Sequence, residues 1–467
     1  MNRVLLALAG PTLASGLLKA TFSLADTYSA GMLHTDALAG LSAAVSFFWM
    51  LQSLSYCTSM GTLSRVSQAK GAGDDDVMVR SFTQGILFAA LIGAAVSLLF
   101  SVGSVRILPL LRLSFDVETQ ALSYLQMLLI FGPAWWVFDT LEQGFRAASD
   151  AKTPMIAMAF AAVVNVLLNP ALALGWFGLP KLGLLGVALA TGISWVLGAS
   201  FLLWVAVKRG WFNLSRSKLT RENLGHDLLQ TLKVGVPTSL SSAGFDIIWI
   251  FLTPLIAQSG AAALAAVAIG HRLEAVAWLM AQGMGGAAGA TVGQGVGAGN
   301  PLLARRFAWR ACVMAFVIAG GWAAILLSQT EALYSIFSDD DDVIRFGLDY
   351  ITFAAIPMVF QGLEVVMLGS FAGFGRTFQP GALVFVSYAL RLPIAYAWAE
   401  EGGAVGVYQA IGLTATLAGI FSLAAFYFLG PRTSSKQLNA TSPTSVSPSV
   451  TVQDPSFDEA PGPRDAA

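Results

Sequence analysis

Gln68-Ala69-Lys70-Gly71-Ala72-Gly73-Asp74 returns as Gln294-Gly295-Val296-Gly297-Ala298-Gly299-Asn300, 226 residues further along the chain. Working outward, the register holds without a gap from Pro11 to Asp74 against Pro237 to Asn300. Pro11-Thr12 meets Pro237-Thr238, and Ala37-Leu38-Ala39 meets Ala263-Leu264-Ala265. Few of the aligned pairs are identical, and two apolar segments reach as much by chance. The weight lies in where the identities fall: at a proline, at a small-residue turn and at a glycine-rich loop, all in one register. Each copy reads as a proline-interrupted apolar helix, a turn, a second apolar helix and a loop. A chain built from two such halves has the organisation of a transporter.

Composition identifies the solvent. Hydrophobic residues make up 56% of the 467 positions and charged residues 11%, against about 25% charged in soluble domains. Runs long enough to cross about 30 Å of hydrocarbon occur twelve times, near 4–33, 37–63, 81–103, 120–145, 155–176, 183–207, 229–258, 262–291, 307–328, 345–372, 380–400 and 404–429. Within a bilayer the backbone must satisfy itself, so these runs are helices. The first run has no cleavage site and continues into the repeat, which marks it as a span and not a signal peptide. Cys57 and Cys312 lie inside spans and read as packed thiols. The net charge of −1 points to no partner, nucleic acid included.

With the N-terminus in the cytoplasm, 18 lysines and arginines fall on the cytoplasmic side and four (Arg106, Arg112, Lys181 and Arg345) on the other. That bias sets the orientation, with both termini cytoplasmic. The organisation is therefore a first lobe over 1–207, a basic and polar cytoplasmic linker over 208–228, and a second lobe over 229–430. A Ser/Thr/Pro-rich tail, disordered by composition, fills 431–467. Val137-Phe138-Asp139-Thr140-Leu141-Glu142 is echoed by Val359-Phe360-Gln361-Gly362-Leu363-Glu364, and Gly183-Leu184-Leu185-Gly186-Val187-Ala188 by Gly403-Ala404-Val405-Gly406-Val407. Six helices per half give both halves the same orientation, so their symmetry axis runs along the membrane normal.

Six acids lie within spans: Asp26, Asp139, Glu142, Asp246, Glu274 and Glu364, against the bases Lys19, Arg272 and Arg391. A charge at mid-helix costs about 2.5–3.5 kcal/mol on the insertion scale, so each has a partner, a cavity or an ion. Glu142 and Glu364 hold matched positions, so a structural role common to both halves competes with ion handling. Asp139 and Glu142, three apart on one face, form a like-charge pair. Arg272 and Glu274, two apart, point in different directions and need separate partners. Asp74-Asp75-Asp76 and Asp339-Asp340-Asp341-Asp342 fall on opposite sides of the membrane and read as solvated turns. The glycine-rich loops lack the strand, helix and Lys-Ser/Thr of a nucleotide cradle, and His34, His226 and His271 have no metal spacing. Nothing converges as a nucleophile, metal cluster or phosphate cradle, so no enzyme, metal or cofactor is expected.

The pattern Pro11…Asp26-Thr27…Gly31, the paired Gln-x-x-Gly-Ala-Gly loops, Asn165…Asn169-Pro170 and Gly183-x-x-Gly186-Val187-Ala188 together resemble the multidrug and toxic compound extrusion (MATE) transporters over residues 4–430. The resemblance implies an all-α membrane protein of two six-helix, pseudo-symmetric lobes forming a V-shaped cleft lined by spans one and seven. It implies export of organic, often cationic, compounds by alternating access in exchange for H+ or Na+, by a monomer in the plasma (inner) membrane. Pro11 and Pro237 are the implied bending points. Asp26 is the implied ion-responsive carboxylate; burial disfavours a carboxylate's charged form, which suits uptake and release of protons. A structural Asp26 bonded to Thr27 or to span-five amides is the competing reading. Asn165 matches the family's asparagine, and Asn169, one turn on, stands where two-aspartate relatives carry Asp. Packing amides compete for both.

In the second half, Asp246 lies one position from where many relatives place a Glu. Gln361 stands where that branch often has an Asp, which argues against a second sodium site. Under the repeat, Lys19 and Asp246 sit at nearly equal depth on the two cleft-lining helices. A pair that forms on closure is expected there, unless Lys19 snorkels to water. An alternative function, a flippase for a lipid-linked oligosaccharide or lipid precursor, needs a cationic cleft that six acids against three bases do not provide.

Overall fold

The computed structural model describes residues 2–111, 114–217 and 220–431. The expected tail, after Pro431, lies outside the described residues, as do Arg112 and Lys218. The first half contains α1 (Asn2–Gly31), α2 (Thr35–Ala72), α3 (Asp75–Ile107), α4 (Phe115–Ile130), α5 (Gly132–Ala147), α6 (Lys152–Leu174) and α7 (Leu184–Lys208). The second contains α8 (Arg221–Ala257), α9 (Ala261–Gly297), α10 (Pro301–Ser335), α11 (Asp341–Phe374), α12 (Phe378–Ala389) and α13 (Arg391–Leu429). This is an all-α membrane fold.

Among the described residues, nine helices are long and apolar enough to cross a bilayer, ten if the bent pair α4–α5 is one span. That pair turns by 54° at Phe131, where Pro133 in the first turn of α5 prevents continuation of the preceding helix. The expected twelve runs are not all separate by this measure. α1 is not among the nine, and α12 with α13 forms one stretch of 52 residues, broken inside α13 at Gly403 (φ 54°).

The repeat is visible in hydrogen bonds. Asp74 caps α3 by accepting from the Val77 amide at 2.9 Å, and Asn300 caps α10 by accepting from the Leu303 amide at 3.0 Å. Thr12 returns its hydroxyl to the Leu8 carbonyl, and Thr238 does so to Val234, each beside a proline that has removed a helix hydrogen bond. α1 and α8 are both helical through Pro11 and Pro237. The expected glycine-rich loops are different: α2 and α9 stay helical through them, and only Gly73 and Gly299 (φ 71° and 67°) turn the chain. The other glycines serve close approach. A Cβ on Gly71 would collide with the Gln294 carbonyl, and one on Gly297 with that of Gln68.

The symmetry axis runs between α2 and α9. Tyr56 and Gln282, which are 226 positions apart, meet directly, the Gln282 amide donating to the Tyr56 hydroxyl at 3.3 Å. α1 packs on α9 of the opposite half, and α8 on α2. The connection between halves is no free linker, because α8 already starts at Arg221. Its Asp227, 1% exposed, holds Arg65 at 2.6 Å and Arg80 at 3.2 Å, tying the second half to α2 and α3.

Candidate functional site

The sequence asks what compensates each acid within the membrane. For Asp26 on α1, the answer is three neutral donors from three other helices. Asn169 on α6 donates to Oδ1 at 2.7 Å, Tyr124 on α4 donates to Oδ2 at 3.1 Å, and the Thr191 hydroxyl on α7 lies 3.0 and 3.2 Å from the two oxygens. Asn165 supports this shell: its amide donates to Thr191 at 2.9 Å, and its oxygen accepts from Asn169 at 3.3 Å. Asp26 is 7% exposed and the two asparagines are fully buried. Among the described residues no basic group lies within 4.0 Å of Asp26. The Asn169 Oδ1, buried, has no hydrogen-bond partner. A lone carboxylate and a spare carbonyl oxygen can hold a proton or a small hard cation.

A cavity of about 590 Å³ lies beside the axis, walled by α2 and by Ser23 of α1 from the first half and mostly by helices of the second. Such a volume suits a drug-sized molecule. Trp49, Trp249, Trp278 and Phe245 give it flat apolar walls, and Asp246, Glu274, Glu364 and Arg391 give it charge. Asp246 accepts from Ser53 of α2 at 2.6 Å, Glu274 accepts from Tyr350 at 3.1 Å, and Glu364 accepts from Tyr388. Gln361 lines the same wall. The second-half residues singled out in the sequence, Asp246, Gln361 and Glu364, thus share one cavity, whereas Asp26 with Asn165 and Asn169 forms a separate buried cluster.

The expected pair of Lys19 with Asp246 is not formed. The Lys19 ammonium lies 2.7 Å from Glu142 of its own half and 5.4 Å from the centre of the Trp135 ring. α1 packs chiefly on α6 of its own half and on α9, and Asp246 on α8 meets Ser53 instead. Glu142, fully buried, also holds Arg146 at 3.2 Å, and Asp139 accepts from Ser55 at 2.9 Å. The like charges of Asp139 and Glu142 are therefore offset by two cations.

A sequence profile described as MatE matches residues 11–171 and again 237–397. The chain belongs to the MatE family. The two matches start and end 226 positions apart, the offset read from the glycine-rich segments. Similar proteins include a probable multidrug resistance protein NorM of Thermotoga maritima, 27% identical over 92% of both chains. An FAD transporter of Shewanella oneidensis is 25% identical over 92% of this chain and 95% of its own. Among solved structures, a MATE in complex with MaD3S aligns with a TM-score of 0.82 at 19% identity, over 91% of this chain and 95% of its own. A mutant of the Vibrio cholerae MATE transporter VcmN aligns with a TM-score of 0.82 at 20% identity, over 94% and 97%. The fold is theirs: two pseudo-symmetric helical lobes arranged as a V, in a multi-pass membrane transporter.

Two residues of the MatE protein's Asp26 shell escaped the sequence reading. Tyr124 carries a signal in the repeat, since its counterpart 226 positions on is Tyr350, which also bonds an acid. Thr191 lies five positions beyond Gly186 and has no signal of its own. The glutamines of the repeated motif also do more than turn the chain. Gln68 donates across the axis to the Gly373 carbonyl at 2.9 Å, and Gln294 donates to the Ala147 carbonyl at 2.9 Å. Donors and acceptors are both 226 apart, so one bond is made twice.

Proposed function

We propose that this MatE transporter exports organic compounds, cationic ones among them, from the cytoplasm across the plasma (inner) membrane in exchange for H+ or Na+. It works by alternating access as a monomer of twelve spans with both termini in the cytoplasm. The observation that carries ion coupling is Asp26: a buried carboxylate with neutral donors from three other helices and, among the described residues, no cation within 4.0 Å. An ion bound there neutralises a charge that burial makes costly, and loading it alters the bonds that join α1 to α4, α6 and α7. The cavity, with its flat aromatic walls and three acids, supports an organic cation as substrate. The multidrug resistance relatives support the same direction of transport. A flippase reading is less well supported, because three acids against two arginines, Arg272 and Arg391, fall short of the cationic cleft that a lipid diphosphate needs.

The test is dye export from proteoliposomes with a proton gradient and a sodium gradient imposed separately. One gradient should drive export by the wild type, and neither should drive the Asp26→Asn variant. Export by that variant at the wild-type rate would remove Asp26 from the mechanism.

A further inference from the structure

The first half carries an image of the cavity wall, and a lysine fills it. Under the 226-residue offset, Phe245 of α8 corresponds to Lys19 of α1. Gln361, Val365 and Leu368 of α11 correspond to Trp135, Asp139 and Glu142 of α5. All four second-half residues line the cavity, and none of their first-half counterparts does. Trp135, Asp139 and Glu142 are instead 4%, 3% and 0% exposed. The Lys19 side chain, 23% exposed, reaches them from α1, its ammonium 2.7 Å from Glu142 and 5.4 Å from the centre of the Trp135 ring.

A carboxylate on one side and an indole face on the other is how a protein holds an organic cation. Here that cation belongs to the chain. Glu142 also meets Arg146 at 3.2 Å, and Asp139 lies one turn before it on the same helix. Without the ammonium, two buried carboxylates would be left with the Arg146 guanidinium, and a buried charge without a partner is costly. The vacated place would then draw a cation from solution. An attached ligand outcompetes a free one through its effective concentration, on the order of millimolar or higher. In the second half a phenyl ring, an amide and two aliphatic side chains stand at these places, and the space before them is open.

We propose that Lys19 is a tethered cation. It occupies a cation site of the first half, formed by Trp135 and Glu142, and so keeps the image of the cavity closed to cations from solution. Recognition of cargo is thereby left to one half of a molecule whose two halves fold alike. Once vacated, the site takes a primary alkylammonium, the chemistry of the lysine side chain itself. This occupancy does not depend on what the cavity accepts.

Chemical rescue in the purified full-length transporter tests this. Lys19→Ala removes the side chain beyond Cβ, and propylammonium supplies the missing atoms. Titrated into Lys19→Ala, propylammonium should raise the thermal unfolding midpoint by about 1–2 °C, the shift for a ligand at roughly ten times its Kd. Propan-1-ol, of the same length and uncharged, should not. Any rise in the wild type, in Lys19→Arg or in Lys19→Ala with Glu142→Gln reports the amine in the cavity, and should be smaller. Equal rises in the wild type and Lys19→Ala overturn the proposal, as does a rise in Lys19→Ala that survives Glu142→Gln. No rise in Lys19→Ala overturns it too, and leaves the ion pair a structural tie. Should Lys19→Ala not fold alone, its yield as monodisperse protein should return when cells grow with propylammonium and not with propan-1-ol. A yield that stays absent with both overturns the proposal as well.

Discussion

Gln68 reaching Gly373 and Gln294 reaching Ala147 are the same bond in the two halves, whereas Asp26 in the first half has only Leu252 at its counterpart position in the second. At the ends of α2 and α9 the halves are alike down to single hydrogen bonds; at mid-membrane the first has a lone carboxylate among neutral donors and the second has both arginines and acids around a cavity. The difference follows from what each region touches. The ends of α2 and α9 touch each other across the axis, so a change in one must be matched in the other. The Asp26 cluster lies wholly within the first half, and nothing couples Asp26 to Arg391 by symmetry. Contact across the axis preserves the repeat, and distance from it allows one half to specialise for an ion and the other for a substrate.

The largest effect should come from asking whether the halves can exchange roles. Asp26→Asn should abolish gradient-driven export, and adding Leu252→Asp should not restore it, because Leu252 is fully buried and lacks the amides of Asn165 and Asn169. Recovery of ion-driven dye export in that double variant would show that the frame alone makes an ion site.

A smaller effect separates two acids that the sequence echo aligns but the 226-residue offset does not, since Glu142 then corresponds to Leu368. Glu142 holds two cations and Glu364 a phenol. Lys19→Met leaves Glu142 with Arg146 alone and should destabilise the fold by up to about 3 kcal/mol, the lower end for breaking a buried pair. Tyr388→Phe removes a single hydrogen bond and should cost about 1–2 kcal/mol. Thermal unfolding of the purified variants ranks them. The reverse order would mean that the phenol, not the ammonium, secures its acid.

The sequence carried the helical class, the repeat and Asp26 with Asn165 and Asn169, because apolar runs, offsets and i,i+4 spacing are one-dimensional signals. It did not carry the partner of Lys19. Equal depth on symmetry-related helices pointed to Asp246, yet depth says nothing about azimuth, and α1 turns Lys19 toward Glu142. The glycine-rich segments read as loops in sequence and fold as helix ends for a related reason. Glycine signals either a turn or a close approach, and only the facing carbonyls of Gln68 and Gln294 decide between them. Arg391 was visible as a charge in a span, but its place on the cavity wall appears only in the structure.

The smallest effect, and the sharpest test of the symmetry, concerns the two glutamines. Their bonds join the halves at the end where α2 and α9 terminate, the end that the lysine and arginine bias assigns to the cytoplasm. Opening the cavity to that side requires both bonds to break. An amide-to-carbonyl bond contributes about 0.5–1.5 kcal/mol net, so losing one should raise the open population roughly two- to tenfold. By symmetry Gln68→Ala and Gln294→Ala should do so about equally, and the double variant by about the product. The reporter is Ser64→Cys, a position 2% exposed beside Gln68, in a chain whose buried Cys57 and Cys312 are replaced by alanine. Its reaction with an impermeant thiol reagent should quicken in inside-out vesicles only. Single variants that differ by an order of magnitude would show that the two bonds are alike in geometry and unlike in energy. Unchanged rates in the double variant would mean that the close contacts of Gly71 and Gly297, and not the glutamine amides, keep this end shut.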